Sequence, residues 1–215
     1  MLDAERRTVA EAVPTLARLT PGRTGNLSVR RDDHVAITPS GRPYDAITAA
    51  GVPVVALDDG RVVDDGAGAP SSELPLHRTL YERFETGAVV HTHAPWATTL
   101  AVLHEPLPPV HYMLALAGGR VPVADYATYG TAELGANVAA AMADADATAC
   151  LLANHGLVAV GDDLDAAVET TVAVESVAQV YCRARSIGMG VPDPLSDEEL
   201  DRVAQRLADY GPDEA

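Results

Sequence analysis

The order of apolar and polar positions predicts a helix at the start of the chain. Between residues 3 and 19, Val9, Val13 and Leu16 recur at helical spacing and form one apolar stripe. Pro14 lies inside this stretch and should kink or divide the helix, because proline removes a backbone donor and clashes with the preceding turn. Similar patterns predict helices over 70–84, 95–103, 131–144, 163–186 and 196–210.

Residues typical of helix starts support several of these assignments. Ser71 or Ser72 is the expected cap of the helix over 70–84, and Pro95 suits a first helical position. Ser196 and Glu199 have the spacing of a capping box.

Short runs rich in β-branched residues predict the strands. Residues 27–30 and 35–38 read as two strands joined by a turn at 31–33, and Asp59-Gly60 between two valine-rich runs is typical of a two-residue hairpin turn. Further strands are predicted at 88–93, 120–127, 148–154 and 155–161. Hairpins imply antiparallel pairing, so the fold class predicted is α/β, a central mixed, largely antiparallel sheet flanked by helices. With 215 residues and no shift in composition, a single domain over 1–215 is expected.

The charge is unusual, because the formal net charge is -16 and all 15 basic residues are arginine. Such a surface repels nucleic acid and anionic membranes, so neither is an expected partner. The absence of lysine excludes chemistry that needs a lysine amine, including Schiff-base aldolases and pyridoxal phosphate enzymes. An acidic surface without lysine also resembles the surfaces of proteins from salt-loving organisms. The hypothesis that follows is that the protein is halophilic.

Three further observations concern location. We find no apolar run of the ~18 residues that span a bilayer, and the first residues lack the pattern of a signal peptide. The two cysteines, Cys150 and Cys182, lie in apolar segments and predict buried thiols rather than a disulfide. A cytoplasmic protein is therefore expected.

Candidate chemistry begins with His91 and His93. On a strand these two residues face the same side about 6.6 Å apart and can converge on one ion. His155 follows a predicted buried strand and precedes a glycine that permits a close backbone approach. Three neutral imidazoles with an open position are typical of a catalytic divalent metal, zinc above all. Hydrogen-bonded core histidines are the alternative, and the spacing alone leaves both possibilities open.

Glu73 is the next candidate. It lies in the predicted first turn of a helix, where the helix dipole favours an acid, and it shares a helix face with His77. A carboxylate next to a divalent metal can also act as a general base. Loops rich in glycine and hydroxyl residues, at 22–28, 38–41 and 71–72, offer backbone amides to a phosphate, although each could be only a turn.

Taken together, the motifs resemble the class II aldolase/adducin family, and within it the L-fuculose-phosphate aldolase group, over nearly the whole chain. The motifs that carry the resemblance are, in order, GRTGNLSVR, ITPSG, SSELPLH, VVHTHAPWAT, PVHYMLALAGG, YATYGTAEL, NHGLVAVGDDLDAA and LSDEEL. Their order and spacing are more specific than any one of them.

The resemblance implies roles for individual residues. His91, His93 and His155 correspond to ligands of one Zn²⁺ ion, and Glu73 to the acid/base that can also ligate the resting metal. Tyr112 corresponds to a tyrosine that protonates the aldehyde oxygen across a subunit boundary in a homotetramer, and Tyr210 to a second catalytic tyrosine or only a cap of the last helix. The residues implied in binding the substrate phosphate are Thr24, Gly25, Asn26, Ser40, Gly41, Ser71 and Ser72.

The implied activity is zinc-dependent, reversible cleavage of a ketose 1-phosphate, with L-fuculose 1-phosphate giving dihydroxyacetone phosphate and L-lactaldehyde. Pentulose-phosphate 4-epimerases and methylthioribulose-phosphate dehydratases share the metal site. The epimerases place an aspartate in the segment that here reads VHYMLALAGG, which has no acid, whereas a dehydratase stays open. A non-catalytic adducin-like module is disfavoured because the three histidines and Glu73 are intact. The aldehyde pocket that distinguishes L-fuculose 1-phosphate from 5-deoxypentulose phosphates is not readable from the sequence.

Overall fold

The computed structural model describes residues 1–66, 68–188 and 190–208. Tyr210 lies outside these residues. In the described part of the chain, eight strands form one sheet of order β4-β3-β2-β1-β5-β8-β7-β6. The strands are β1 (Asn26–Arg31), β2 (His34–Ile37), β3 (Val54–Ala56), β4 (Val62–Asp64), β5 (Ala88–Thr92), β6 (Val123–Ala124), β7 (Ala149–Leu152) and β8 (Gly156–Gly161). Every neighbouring pair is antiparallel except β6–β7, which confirms the predicted fold class.

Helices cover both faces of the sheet because alternate strand residues face opposite sides. The helices are α1 (Asp3–Leu19), α2 (Leu74–Arg83), α3 (Pro95–Val102), α4 (Ala132–Ala145), α5 (Leu164–Ser186) and α6 (Asp197–Ala208). On β5, Val89 packs into a core with α2 and α4, whereas Ala88 and Val90 pack into a second core with α1. A third cluster joins α3 and α5 to β7 and β8.

Three local expectations differ from the structure. Pro14 lies inside α1, so the helix is not divided there. The β3–β4 turn is longer than two residues, because the N–H of Ala56 donates to the carbonyl of Arg61 and the register shifts at Val54 and Val55. The strand expected over 120–127 is only the two residues of β6.

The starts of the helices agree with the sequence in part. The capping box is present, since the N–H of Ser196 donates to Glu199 Oε2 at 2.9 Å and the N–H of Glu199 donates to Ser196 Oγ at 3.3 Å. The cap of α2 is Glu73 rather than Ser71 or Ser72, and Ser71 Oγ accepts from the N–H of Glu73.

None of the helices in the described ranges has the length and apolar character needed to cross a bilayer.

Candidate metal centre and substrate cavity

The alternation of β5 places His91 on the face that α2 covers. Val89, two residues earlier, belongs to the core under α2, and the side chain of His91 is fully buried. Asn26 on β1 is the register partner of His91, so the two side chains lie side by side on this face. The sheet therefore brings a histidine and an amide to the amino end of α2, where Glu73 lies.

Three imidazoles converge at this point. The Nε2 atoms of His91 and His93 are 3.1 Å apart, and each ring centroid of His91, His93 and His155 lies within 5.0 Å of the other two. One candidate ligand atom from each residue falls within 4.8 Å of the others. Two nitrogens that each bind zinc at about 2.1 Å in a tetrahedron are about 3.4 Å apart, so the observed spacing fits a shared ion.

The ring of His91 is also oriented as a metal ligand. Its Nδ1–H donates to the carbonyl of Leu157 at 3.0 Å, which directs Nε2 at the cluster. Burial, together with the neighbouring His91, lowers the pKa of His93 and of His155 to about 4. Both rings are therefore neutral near pH 7, as metal ligands must be.

Glu73 completes the cluster. Its Oε2 lies 3.0 Å from His91 Nε2 and accepts from Asn26 Nδ2 at 2.8 Å, and its Oε1 lies 3.4 Å from His155 Nε2. Burial by itself would raise the pKa of this carboxyl. The interaction with His91 and the hydrogen bonds from His91 and Asn26 outweigh burial, so the pKa lies well below its usual range. Glu73 Oε1 is buried without a hydrogen-bond partner, which is the kind of orphaned acceptor that a cation satisfies.

Gly156 explains how His155 comes so close to His93. A Cβ at Gly156 would lie 2.4 Å from the carbonyl oxygen of Thr92 and 3.1 Å from the ring of His93. Only a glycine allows this approach of β8 to the end of β5. The expected close backbone approach is therefore present.

A cavity of about 350 Å³ opens onto the cluster. Glu73, His93 and His155 line it, while His91 lies beneath them, fully buried. All seven residues that the resemblance implied in phosphate binding also line it, namely Thr24, Gly25, Asn26, Ser40, Gly41, Ser71 and Ser72. The structure thus brings ten of the predicted site residues around one space.

Of the two predicted tyrosines, the structure describes only Tyr112. Tyr112 begins a short 3-10 helix, Tyr112–Ala117, stacks on His111 and is 51% exposed. It is not among the described residues that line the cavity of its own chain. Tyr210 falls beyond the described residues.

The phosphate loops differ from expectation in one respect. The backbone amides of Gly25, Ser40 and Ser71 already donate within the protein, to Tyr44 Oη, the carbonyl of Ala69 and the carbonyl of Thr38. A phosphate here must therefore rely more on hydroxyl and amide side chains than the sequence suggested.

Sequence reasoning missed several residues of the cavity wall. Arg23 and Arg42 supply the only positive charge among its described residues, and Arg23 also donates to the carbonyl of Gly41 at 3.2 Å. Tyr44, Tyr126, Tyr129 and Asn154 also line the cavity, together with Thr38, Pro39 and Ala127. The YATYG motif was the available signal for Tyr126 and Tyr129, whereas nothing local marked Tyr44.

Comparison with known proteins places this geometry in context. The model of the Class II Aldolase and Adducin N-terminal domain matches residues 8–182. The chain belongs to the class II aldolase and adducin family. The resemblance inferred from the motifs is thereby confirmed, and with it the prediction of a class II aldolase.

Individual relatives of this class II aldolase are similar over most of their length. A 5-methylthioribulose-1-phosphate/5-deoxyribulose-1-phosphate aldolase of Rhodospirillum rubrum is 42% identical over 98% of this chain and 90% of the relative. The L-fuculose phosphate aldolase of Escherichia coli (strain K12) is 40% identical over 90% of this chain and 88% of the relative. A solved L-fuculose 1-phosphate aldolase superposes with a TM-score of 0.88 at 40% identity, covering 95% of this chain and 96% of that chain.

Proposed function

We propose that the protein is a zinc-dependent aldolase that reversibly cleaves a ketose 1-phosphate, L-fuculose 1-phosphate in the first instance, to dihydroxyacetone phosphate and L-lactaldehyde. The convergence of three imidazoles and an ionised glutamate beside a cavity lined with hydroxyl side chains carries this proposal.

The three imidazoles of His91, His93 and His155 would hold the metal. A divalent ion bound there would supply Lewis-acid stabilisation of the negative charge that develops on the substrate oxygens as the carbon–carbon bond breaks. Zinc is the ion that a set of three histidines with an open position suits best. Because the chain has no lysine, an iminium cannot take this role.

Glu73 moves the proton. Its carboxylate is ionised and buried next to the imidazoles, so it can remove a proton from the hydroxymethyl carbon of dihydroxyacetone phosphate in the synthetic direction. In cleavage the same group returns a proton to that carbon.

The part of the cavity wall that is rich in hydroxyl groups binds the phosphate. The hydroxyls of Thr24, Ser40, Ser71 and Ser72 line the cavity together with Gly25, Gly41 and the amide of Asn26. Arg23 also lines the cavity and attracts the anion against the net negative charge of the protein.

Tyr112 serves a neighbouring subunit in a homotetramer. Its exposed ring, away from the described wall of its own cavity, supports a role at a subunit boundary, where it would protonate the aldehyde oxygen. Sedimentation should then show four chains per particle, and an active monomer would refute this arrangement. Tyr210 remains proposed as a second catalytic tyrosine of the carboxy-terminal segment.

A second substrate class is supported by the relative from Rhodospirillum rubrum, whose name gives 5-methylthioribulose 1-phosphate and 5-deoxyribulose 1-phosphate and which matches 98% of this chain. These ketose phosphates have the same dihydroxyacetone phosphate half as L-fuculose 1-phosphate and differ in the aldehyde released.

The deciding experiment measures release of dihydroxyacetone phosphate from L-fuculose 1-phosphate and from 5-deoxyribulose 1-phosphate, with and without a chelator. Chelator-sensitive release from either substrate supports the aldolase, and the ratio of kcat/KM values identifies the preferred aldehyde. No release from the metal-loaded protein with either sugar phosphate would refute the proposal.

The acidic surface suits a protein that works in strong salt. Activity and melting temperature should rise on addition of molar KCl, and a maximum in dilute buffer would contradict the halophilic interpretation.

The two free thiols, Cys150 and Cys182, agree with a reducing cytoplasm.

A further inference from the structure

A ladder of buried polar side chains joins β1 to α2 behind the metal cluster. Asn26 and Ser28 lie two residues apart on β1, and Glu73, His77 and Tyr81 lie four residues apart along α2. Two strand residues advance about 6.6 Å and four helix residues about 6.0 Å, so the two rows match in spacing. All five residues are at least nine-tenths buried.

The hydrogen bonds of the ladder alternate between the two elements. Asn26 Nδ2 donates to Glu73 Oε2 at 2.8 Å, and Asn26 Oδ1 lies 2.5 Å from His77 Nε2. His77 Nδ1 lies 2.6 Å from Ser28 Oγ, and Tyr81 Oη donates to the carbonyl of Ser28 at 3.0 Å. Ser28 Oγ also lies 2.8 Å from Tyr81 Oη, so each of the two side chains of β1 bridges two neighbouring positions along α2.

The donor and acceptor in each bond follow from chemistry. An ionised carboxylate only accepts, so the NH₂ of Asn26 faces Glu73 and its carbonyl oxygen faces His77. His77 Nε2 must then carry the hydrogen, and Nδ1 must accept from the hydroxyl of Ser28. His77 is neutral, because burial lowers its pKa to about 3.

We propose that His77 is a positioning residue, which holds the Asn26 amide with its NH₂ directed at Glu73 and thereby aims the Glu73 carboxylate at the imidazole cluster. An Asn26 amide turned the other way would place its oxygen against the carboxylate and its NH₂ against the Nε2–H of His77. The catalytic consequence rests on the proposed function, whereas the orientation of Asn26 does not.

This chain of bonds holds positions and does not relay protons. The amide of Asn26 lies between Glu73 and His77, and an amide neither gains nor loses a proton near neutral pH. His77 therefore acts on the reaction only through the geometry of Asn26 and Glu73.

Two polar substitutions of similar kind separate this role from simple core packing. In His77→Gln the amide nitrogen can take the place of Nε2 and still donate to Asn26. In His77→Asn the shorter side chain keeps a bond to Ser28 but cannot reach Asn26. His77→Leu removes both bonds, and Thr171→Val is the control, because it deletes a buried hydroxyl bonded only to the carbonyl of Ala167 on α5.

The first assay follows exchange of the hydroxymethyl hydrogens of dihydroxyacetone phosphate with D₂O in the zinc-loaded proteins, with zinc content measured in parallel. We expect His77→Asn and His77→Leu to lose about 10–100-fold in exchange, as for other residues that orient a group of a metal site, while keeping their zinc. His77→Gln should recover most of the exchange, and Thr171→Val should exchange like the parent. Equal rates in His77→Asn and His77→Gln, or parental exchange in a folded His77→Leu variant, would overturn the proposal.

The second assay is nitrogen-15 NMR of the metal-free parent, which reads the tautomer of His77 and the side-chain amide of Asn26 without any substrate. We expect a protonated Nε2 and a bare Nδ1, with the Asn26 amide resonance preserved in His77→Gln and shifted in His77→Asn. A protonated Nδ1 would overturn the positioning role. Absence of exchange by the parent together with the expected tautomer would instead refute the proposed function and uphold the orientation of Asn26.

Discussion

Replacement of Glu73 by glutamine is the sharpest test of the site. The substitution preserves shape and one oxygen that accepts from Asn26, while the new amide group can donate to a neutral imidazole nitrogen. The three imidazoles that bind the metal are unchanged. We therefore expect a folded protein that still binds one metal ion per chain.

The expected loss is in proton transfer. Removal of a positioned general base typically costs 10²–10⁴-fold, or about 3–5 kcal/mol in the activation barrier. Glu73 is the only carboxylate among the described residues that line the cavity, and it lies within hydrogen-bonding distance of His91 Nε2. No second carboxylate of the described wall can therefore replace it.

Exchange of the hydroxymethyl hydrogens of dihydroxyacetone phosphate with D₂O, followed by NMR, isolates this step from aldehyde binding. Glu175→Gln is a matched control, because that carboxylate does not line the cavity and its Oε2 accepts from the N–H groups of both Trp96 and Ala97, a position that the glutamine oxygen can fill. Parental exchange by metal-loaded Glu73→Gln would refute the assignment of the proton to Glu73.

Three further predictions concern the metal, the backbone and pH. Replacing any one of the three clustered histidines with alanine should abolish stoichiometric metal binding and aldol cleavage together, and a variant that cleaves substrate with no bound metal would contradict the cluster's role. Gly156→Ala should lower the free energy of unfolding by about 1–3 kcal/mol in a denaturant titration, because its Cβ meets the Thr92 carbonyl at 2.4 Å, whereas Gly68→Ala, with its nearest neighbour at 3.8 Å, should not. Burial lowers the pKa of His77 from 6.5 to about 3, so below about pH 6.5 His77 binds a proton in the unfolded chain but not in the folded chain. His77 therefore leaves the free energy of unfolding unchanged above that pH and lowers it as the pH decreases toward 3, by up to about 1.4 kcal/mol per pH unit. Metal-free His77→Gln should show a shallower fall in urea midpoint between pH 7 and pH 5, and identical slopes would argue against a neutral buried His77.

Local patterns in the sequence were sufficient for the elements and for the type of chemistry. Periodicity predicted eight strands and six helices, because the buried face of each element is formed by apolar residues that recur at a fixed spacing within a short segment. The spacing of His91 and His93, the distance of four between Glu73 and His77, and the absence of lysine are likewise properties of short segments or of composition. These features excluded a lysine amine and offered candidate metal ligands, and the family resemblance then favoured a metal before any contact was known.

Only the tertiary structure decided which of these residues meet. His155 lies 64 positions from His91 in the chain, and the pairing of β5 with β8 and the approach allowed by Gly156 bring the two together. The five-residue ladder behind Glu73 depends on the register of β1 against β5 and on how α2 lies over both. Long-range register and packing set these contacts, and no local pattern records them, which is why the sequence by itself indicated candidate metal ligands but not the side chains around them.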